Sequence, residues 1–185
     1  METQYKDVEV VNRGSSFNGK DLTLRFLALT LTLIAAVLLG VDKETTTVAI
    51  TLVPSLPPVD LPVTAKWTHM SAFVYFVIAN AISCTYAATS LIVILATSGK
   101  NKLASLVIII LDIVMVALLF SAVGATSSIG LIGYKGNSHV HWDKVCNVFN
   151  KFCHQVAIAV FLSFAGSITY LLLIVISALK LHKKF

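Results

Sequence analysis

This chain is short of charge. Asp, Glu, Lys and Arg make up 12% of its 185 residues, about half the roughly one quarter usual in water-soluble domains, which argues against a soluble protein before any segment is inspected. Cysteine is scarce too: three residues cannot build a disulfide scaffold. The absence of a Cys-x-x-Cys pair or a relay of cysteines weighs against a thiol–disulfide enzyme. Proline is confined to one segment, as Pro54, Pro57, Pro58 and Pro62. There is no Asn-x-Ser/Thr acceptor, so glycosylation marks no loop as external. No soluble domain and no internal repeat can be read from the sequence.

What is abundant is apolar sequence, 57% of the chain. It falls into four runs, residues 22–41, 69–97, 103–126 and 156–179. The third, at a rise of ~1.5 Å per residue, makes a helix of about 36 Å, enough to cross a bilayer core of ~30 Å with some tilt. The runs predict an all-α membrane protein, a bundle of four transmembrane helices spanning residues 21–180. Residues 1–20, polar and without periodicity, read as a disordered cytoplasmic tail, and residues 181–185 as a basic cytoplasmic one. Residues 42–68 and 127–155 form the outer loops. The polar segment 98–102 is a tight turn that makes spans two and three an antiparallel hairpin. The first run is longer than the apolar region of a signal peptide and lacks a small-residue cleavage site at its end.

The net charge of +5 reflects basic residues at helix ends rather than a nucleic-acid surface. Lys100, Lys102, Lys180, Lys183 and Lys184 lie beside span ends on the side that also holds the N-terminus. The positive-inside rule places both termini and the short turn in the cytoplasm, and the two long loops outside.

Two charges stand inside the runs: Arg25 in the first and Asp112 in the third. A carboxylate at mid-helix costs on the order of 2.5–3.5 kcal/mol on insertion scales, so it needs a partner or water. Arg25 lies roughly 5 Å into its span and Asp112 roughly 13 Å into its own from the same side, a difference an extended Arg side chain largely closes. At 4 Å and an effective dielectric near 20 their attraction is about 4 kcal/mol, comparable to the insertion penalty of one such group. The pair is expected as a structural ion pair that fixes which faces of helices one and three meet. The competing reading makes Asp112 a proton or cation site in a small transporter or channel subunit, with Asn80 as the other strongly polar mid-span residue.

Small residues recur at four-residue spacing: Ala79, Ser83 and Ala87, with Asn80, Cys84 and Ala88 alongside, in span two; Ser121/Ala125 and Gly124/Ser128 in span three; Ala159, Ser163 and Ser167, with Gly166 adjacent, in span four. Such stripes let helices approach closely in lipid, within one bundle or between copies.

The second outer loop carries His139, His141, Trp142, Cys146, Phe149, Phe152, Cys153 and His154. The spacing matches no closed zinc signature, so neither a metal nor any other cofactor is expected, and no catalytic residue is assigned. A Cys146–Cys153 disulfide is expected if the loop meets an oxidising compartment. Seven residues on one unbroken helix would separate the Cα atoms by roughly 10 Å, too far to bridge, so the bond requires a break near Asn147–Asn150. Trp142, Phe149 and Phe152 read as an aromatic anchor at the membrane surface or as a partner-recognition patch.

Arg25 in span one, Asp112 in span three and the Trp142…Cys146…Phe149…Phe152-Cys153 segment together resemble the Casparian strip membrane domain proteins and their CASP-like relatives of plants, distantly similar to MARVEL-domain proteins. The first-loop run from Leu52 to Trp67 resembles a CASP-like subgroup rather than the founding members. The resemblance implies a multi-pass plasma-membrane protein that forms homodimers or higher homo-oligomers, and hetero-oligomers with family members, in lateral membrane domains. A non-enzymatic scaffold is the function expected, with the lipid bilayer as its surroundings and no nucleic-acid partner.

Overall fold

The computed structural model describes residues 2–50, 59–97, 102–136 and 144–182. The elements are α1 (Glu2–Gly40), a hairpin of β1 (Lys43–Ile50) and β2 (Val59–Lys66), a 3-10 turn (Trp67–His69), α2 (Ser71–Thr97), α3 (Lys102–Lys135), a single turn α4 (Val145–Val148), and α5 (Asn150–His182). Four helices contain stretches long and apolar enough to cross a membrane: Gly19–Gly40, Ser71–Ala96, Leu106–Lys135 and Asn150–Leu179. The fold is thus a four-span helical membrane bundle, carrying one small hairpin.

The helices outrun the apolar runs that nucleate them. α1 begins at Glu2, so most of the segment read as a disordered tail continues the first helix. α3 continues past residue 126 to Lys135, and α5 starts at Asn150 rather than 156. Once a helix is nucleated, each further residue adds a hydrogen bond for one residue fixed, and none of these extensions contains proline. α3 stops at Gly136, whose φ of 72° is left-handed and whose N–H reaches the Ile132 carbonyl at 2.8 Å. That is the glycine-ended cap that closes many helices.

The first long loop is more ordered than its prolines suggest. β1 pairs antiparallel with β2 from Lys43 opposite Lys66 to Ile50 opposite Val59. Its Thr-rich start favours extended backbone, and the Thr45 and Thr64 hydroxyls meet across the strands at 3.0 Å. Pro62, opposite Thr47, is tolerated because both strands of a two-stranded ribbon are edges. Pro54, Pro57 and Pro58 lie outside the described residues, as does the turn 98–101.

α1 packs against α2 and α5, and α3 packs against the same two helices. The bundle is therefore a square in which α1 faces α3 across one diagonal and α2 faces α5 across the other. Its core is in two pieces. One, at the hairpin end, includes Leu39, Phe73, Phe76, Ala122, Phe152 and Val156; the other includes Ala28, Ala87, Met115, Leu119, Tyr170 and Leu173. The fully buried Thr32, Asn80, Ser83, Ser163 and Ser167 fall between them along α1, α2 and α5. Small side chains here allow close approach: a Cβ on Gly166 would lie 3.3 Å from Thr32 Cγ2. The stripes of spans two and four thus turn inward, whereas Ser121, Gly124 and Ser128 of span three stay exposed.

Candidate functional site

The polar chemistry of the bundle is concentrated where α1 meets α3 across the diagonal. Arg25 Nη2 lies 2.9 Å from Asp112 Oδ2, and Nη1 lies 3.3 Å from Oδ1, a two-point contact between guanidinium and carboxylate. Arg25 Nη1 also donates to Ser90 Oγ at 2.9 Å, and that hydroxyl donates onward to the Ala87 carbonyl at 3.0 Å. The Tyr86 hydroxyl stands 2.8 Å from Asp112 Oδ1 and 3.0 Å from the Ile108 carbonyl. Arg25 and Asp112 are 1% and 0% exposed. Planar, two-point geometry of this kind suits arginine and not lysine. Cation and anion cancel within the site, and only Arg25 Nε is left buried without a hydrogen bond among the described residues of the cluster.

The other diagonal is tied in the same region. The Tyr170 hydroxyl of α5 donates to the Ser83 carbonyl of α2 at 2.7 Å. Its ring lies 6.2 Å from that of Tyr86, so the two ties touch. Asn80, the other residue considered for transport, is fully buried and donates to the Phe76 carbonyl at 2.9 Å, while its Oδ1 and Ser163 Oγ have no hydrogen-bond partner among the described residues.

A second ordered feature lies at the hairpin end. Cys146 and Cys153 are joined, with Cα atoms 5.7 Å apart. α4 ends at Val148, Phe149 leaves helical backbone (φ −114°, ψ 62°), and α5 resumes at Asn150, which puts the interruption inside the window the bond distance demands. The resumed helix is held by the first loop: the Phe152 N–H, in the first turn of α5, donates to Glu44 Oε2 at 2.7 Å, a carboxylate on the positive end of a helix. Phe149 and Phe152 are each 7% exposed, and the Phe152 ring lies 5.7 Å from Phe73. They belong to the core and not to a surface anchor, because the interruption folds the chain back and turns both rings inward. Trp142, His139 and His141 lie outside the described residues, and among the described residues no group of three His, Cys, Asp or Glu is placed to hold a metal.

Residues 14–169 match the family model of the Casparian strip membrane protein domain. The chain belongs to the CASP-like family. It is 56% identical to CASP-like protein 1E2 of Vitis vinifera over 184 residues, covering 100% of this chain and 94% of the relative. It is 58% identical to CASP-like protein 1E1 of Populus trichocarpa over 175 residues, covering 95% and 89%. CASP-like protein 1E1 of Arabidopsis thaliana is 48% identical over 167 residues, 90% of this chain and 88% of that one. No solved structure matches.

In this CASP-like chain the members of the charge cluster that sequence reasoning passed over are its neutral ones. Ser90 continues the face of Ser83 at a spacing of seven, and Tyr86 lies one turn before Ser90. A search for hydroxyls on the small-residue face opposite the charge pair would have reached both. Glu44 offered no signal, because its partner is a backbone N–H more than a hundred residues away.

Asp42, at the base of the hairpin, is 2% exposed, and its Oδ2 has no hydrogen-bond partner among the described residues. Burial pushes its carboxyl up to about 6, with nearby Glu44 adding to the shift and Lys151 opposing it. A carboxyl raised above its ordinary 3.8 binds its proton more readily folded than unfolded. Stability is therefore gained as pH falls through about 6 and lost again as pH rises. Amide exchange in the hairpin and the first turn of α5, corrected for intrinsic rates, should slow between pH 7.5 and pH 5, and Asp42→Asn should remove that dependence. Faster exchange at the lower pH would contradict this account of Asp42.

Proposed function

We propose that this CASP-like membrane protein is a non-enzymatic building block that associates laterally, with copies of itself and with family members, into plasma-membrane domains that serve as scaffolds. Both termini lie in the cytoplasm and the hairpin and disulfide lie outside, as the distribution of lysines beside the span ends favours. The observation that carries the reading is that the two intramembrane charges are spent on each other, on Tyr86 and on Ser90, all inside one protomer. A transport pathway would leave a titratable group facing a cavity or water; Arg25 and Asp112 have essentially no exposed surface. The outside of the bundle is left for lipid and for other copies, and Ser121, Gly124 and Ser128 offer a place where helix backbones approach closely.

Subunit counting by stepwise photobleaching in native-membrane discs should give more than one copy per complex, and proton or cation flux in proteoliposomes should equal that of empty vesicles. Flux abolished by Asp112→Asn would establish the transporter reading instead. A uniformly single-copy count would sink the assembly reading.

A further inference from the structure

A groove of about 800 Å³ opens between the outer halves of α3 and α5 beneath the disulfide. Its walls are mostly apolar. On α5 it runs from Phe152 to Phe164 and on α3 from Val123 to Tyr134, about 18 and 16 Å at ~1.5 Å per residue. That depth is close to the ~15 Å of one leaflet's hydrocarbon. Phe164 stands at the middle of the span Asn150–Leu179, so the groove begins near the bilayer midplane and ends at the interface. Phe161, 71% exposed, and Leu131, 55% exposed, flank its open side, within the part of the bundle that meets lipid.

The mouth has a charge of one sign. Lys66 supplies it, His69 lines the mouth beside it, and among the described residues no Asp or Glu does. Lys43 sits directly opposite Lys66 in the hairpin register, and like charges facing each other across strands are unfavourable; the neighbouring carboxylate of Glu44 is taken up by the Phe152 N–H. Length, apolar walls, lateral opening and a cationic rim fit one class of occupant.

We propose that the groove holds one acyl chain of an anionic glycerophospholipid drawn from the leaflet on the hairpin side, with its phosphate against Lys66, Lys43 and His69. A chain in this position fills space that would otherwise leave the lining residues without contact partners, and the phosphate separates the two facing lysines. The inference rests on the groove alone and not on self-assembly, so its failure would leave the scaffold reading untouched.

The test uses the full chain in phosphatidylcholine nanodiscs doped with a photoactivatable-acyl phosphatidylglycerol or, in parallel, the phosphatidylcholine of the same chain. Labelling should concentrate on the 152–164 and 123–134 segments, and the anionic probe should be preferred about fivefold or more, the size expected for a lysine beside an anionic head group. Gly130→Phe places a ring in the groove where a Cβ meets nothing within 4 Å, and should remove the excess labelling while the disulfide and thermal stability persist. Lys66→Glu keeps the groove's volume and should erase the preference for phosphatidylglycerol. Ile92→Phe, on an exposed position of α2, should change neither. Labelling spread in proportion to exposure would overturn the proposal, as would equal labelling by the two probes. So would protection of the groove by a second copy, seen as cross-links between cysteines introduced at Leu131 and Phe161 of separate protomers.

Discussion

Asp112→Leu should destabilise the protein by about 3–5 kcal/mol, the usual cost of removing one partner from a buried ion pair, while Arg25→Leu/Asp112→Leu together should cost less than either single change. The comparison matters because each single variant strands a charge in a region with no solvent, and the double variant strands none. The two singles should also differ. After Arg25→Leu, Asp112 keeps the Tyr86 hydroxyl 2.8 Å away and a carboxylate can be neutralised by a proton. After Asp112→Leu, the guanidinium keeps the Ser90 hydroxyl but cannot lose its charge, so this variant is the worse of the two. Arg25→Lys should restore charge balance without restoring stability, since an ammonium cannot make both contacts. Chemical unfolding of the detergent-solubilised protein, with monodisperse yield as a second readout, supplies the comparison. A double variant as damaged as the sum of the singles would mean that the two side chains act independently.

The second large effect is expected at the hairpin end. Cys146→Ser, or Cys153→Ser, should cost on the order of 2–3 kcal/mol, the chain-entropy value for a bridge closing so short a loop. The loss should be local. α4 is a single turn of four residues, far too short to persist alone, and the non-helical link at Phe149 is held by the bridge on one side and by Glu44 on the other. Releasing the bridge frees Phe149 and Phe152 from the core cluster they share with Phe73, so exchange protection should collapse from Val145 through the first turn of α5 and persist around Asp112. Reductant on the native chain should reproduce the pattern. Loss of protection throughout all four spans would show that the bridge, rather than the bundle, holds the fold.

How far the sequence reveals this arrangement depends on how local each signal is. The four spans and the meeting of Arg25 with Asp112 are legible because lipid allows few options: apolar runs must be helices, and two opposite charges among them have few other partners. The interruption near Phe149 is legible because bond geometry forbids a bridge across seven helical residues. The inward turn of Phe149 and Phe152 is not, since a ring beside a membrane surface and a ring beneath a folded-back turn have the same local sequence. The hairpin is missed for a different reason. Pro62 argues against a central strand but not against a ribbon made only of edges. The diagonal from Tyr170 to Ser83 is invisible because its acceptor is a main-chain carbonyl, which every residue possesses.

Four rods joined side by side in a square form a linkage that can shear into a lozenge without parting any neighbouring pair. Struts across both diagonals remove that freedom. With Arg25 reaching Asp112 and Tyr170 reaching Ser83, the bundle becomes a braced frame whose outline is fixed within the single protomer. A lattice of such frames would draw its curvature and spacing from the shape of the unit rather than from adjustment at each seam.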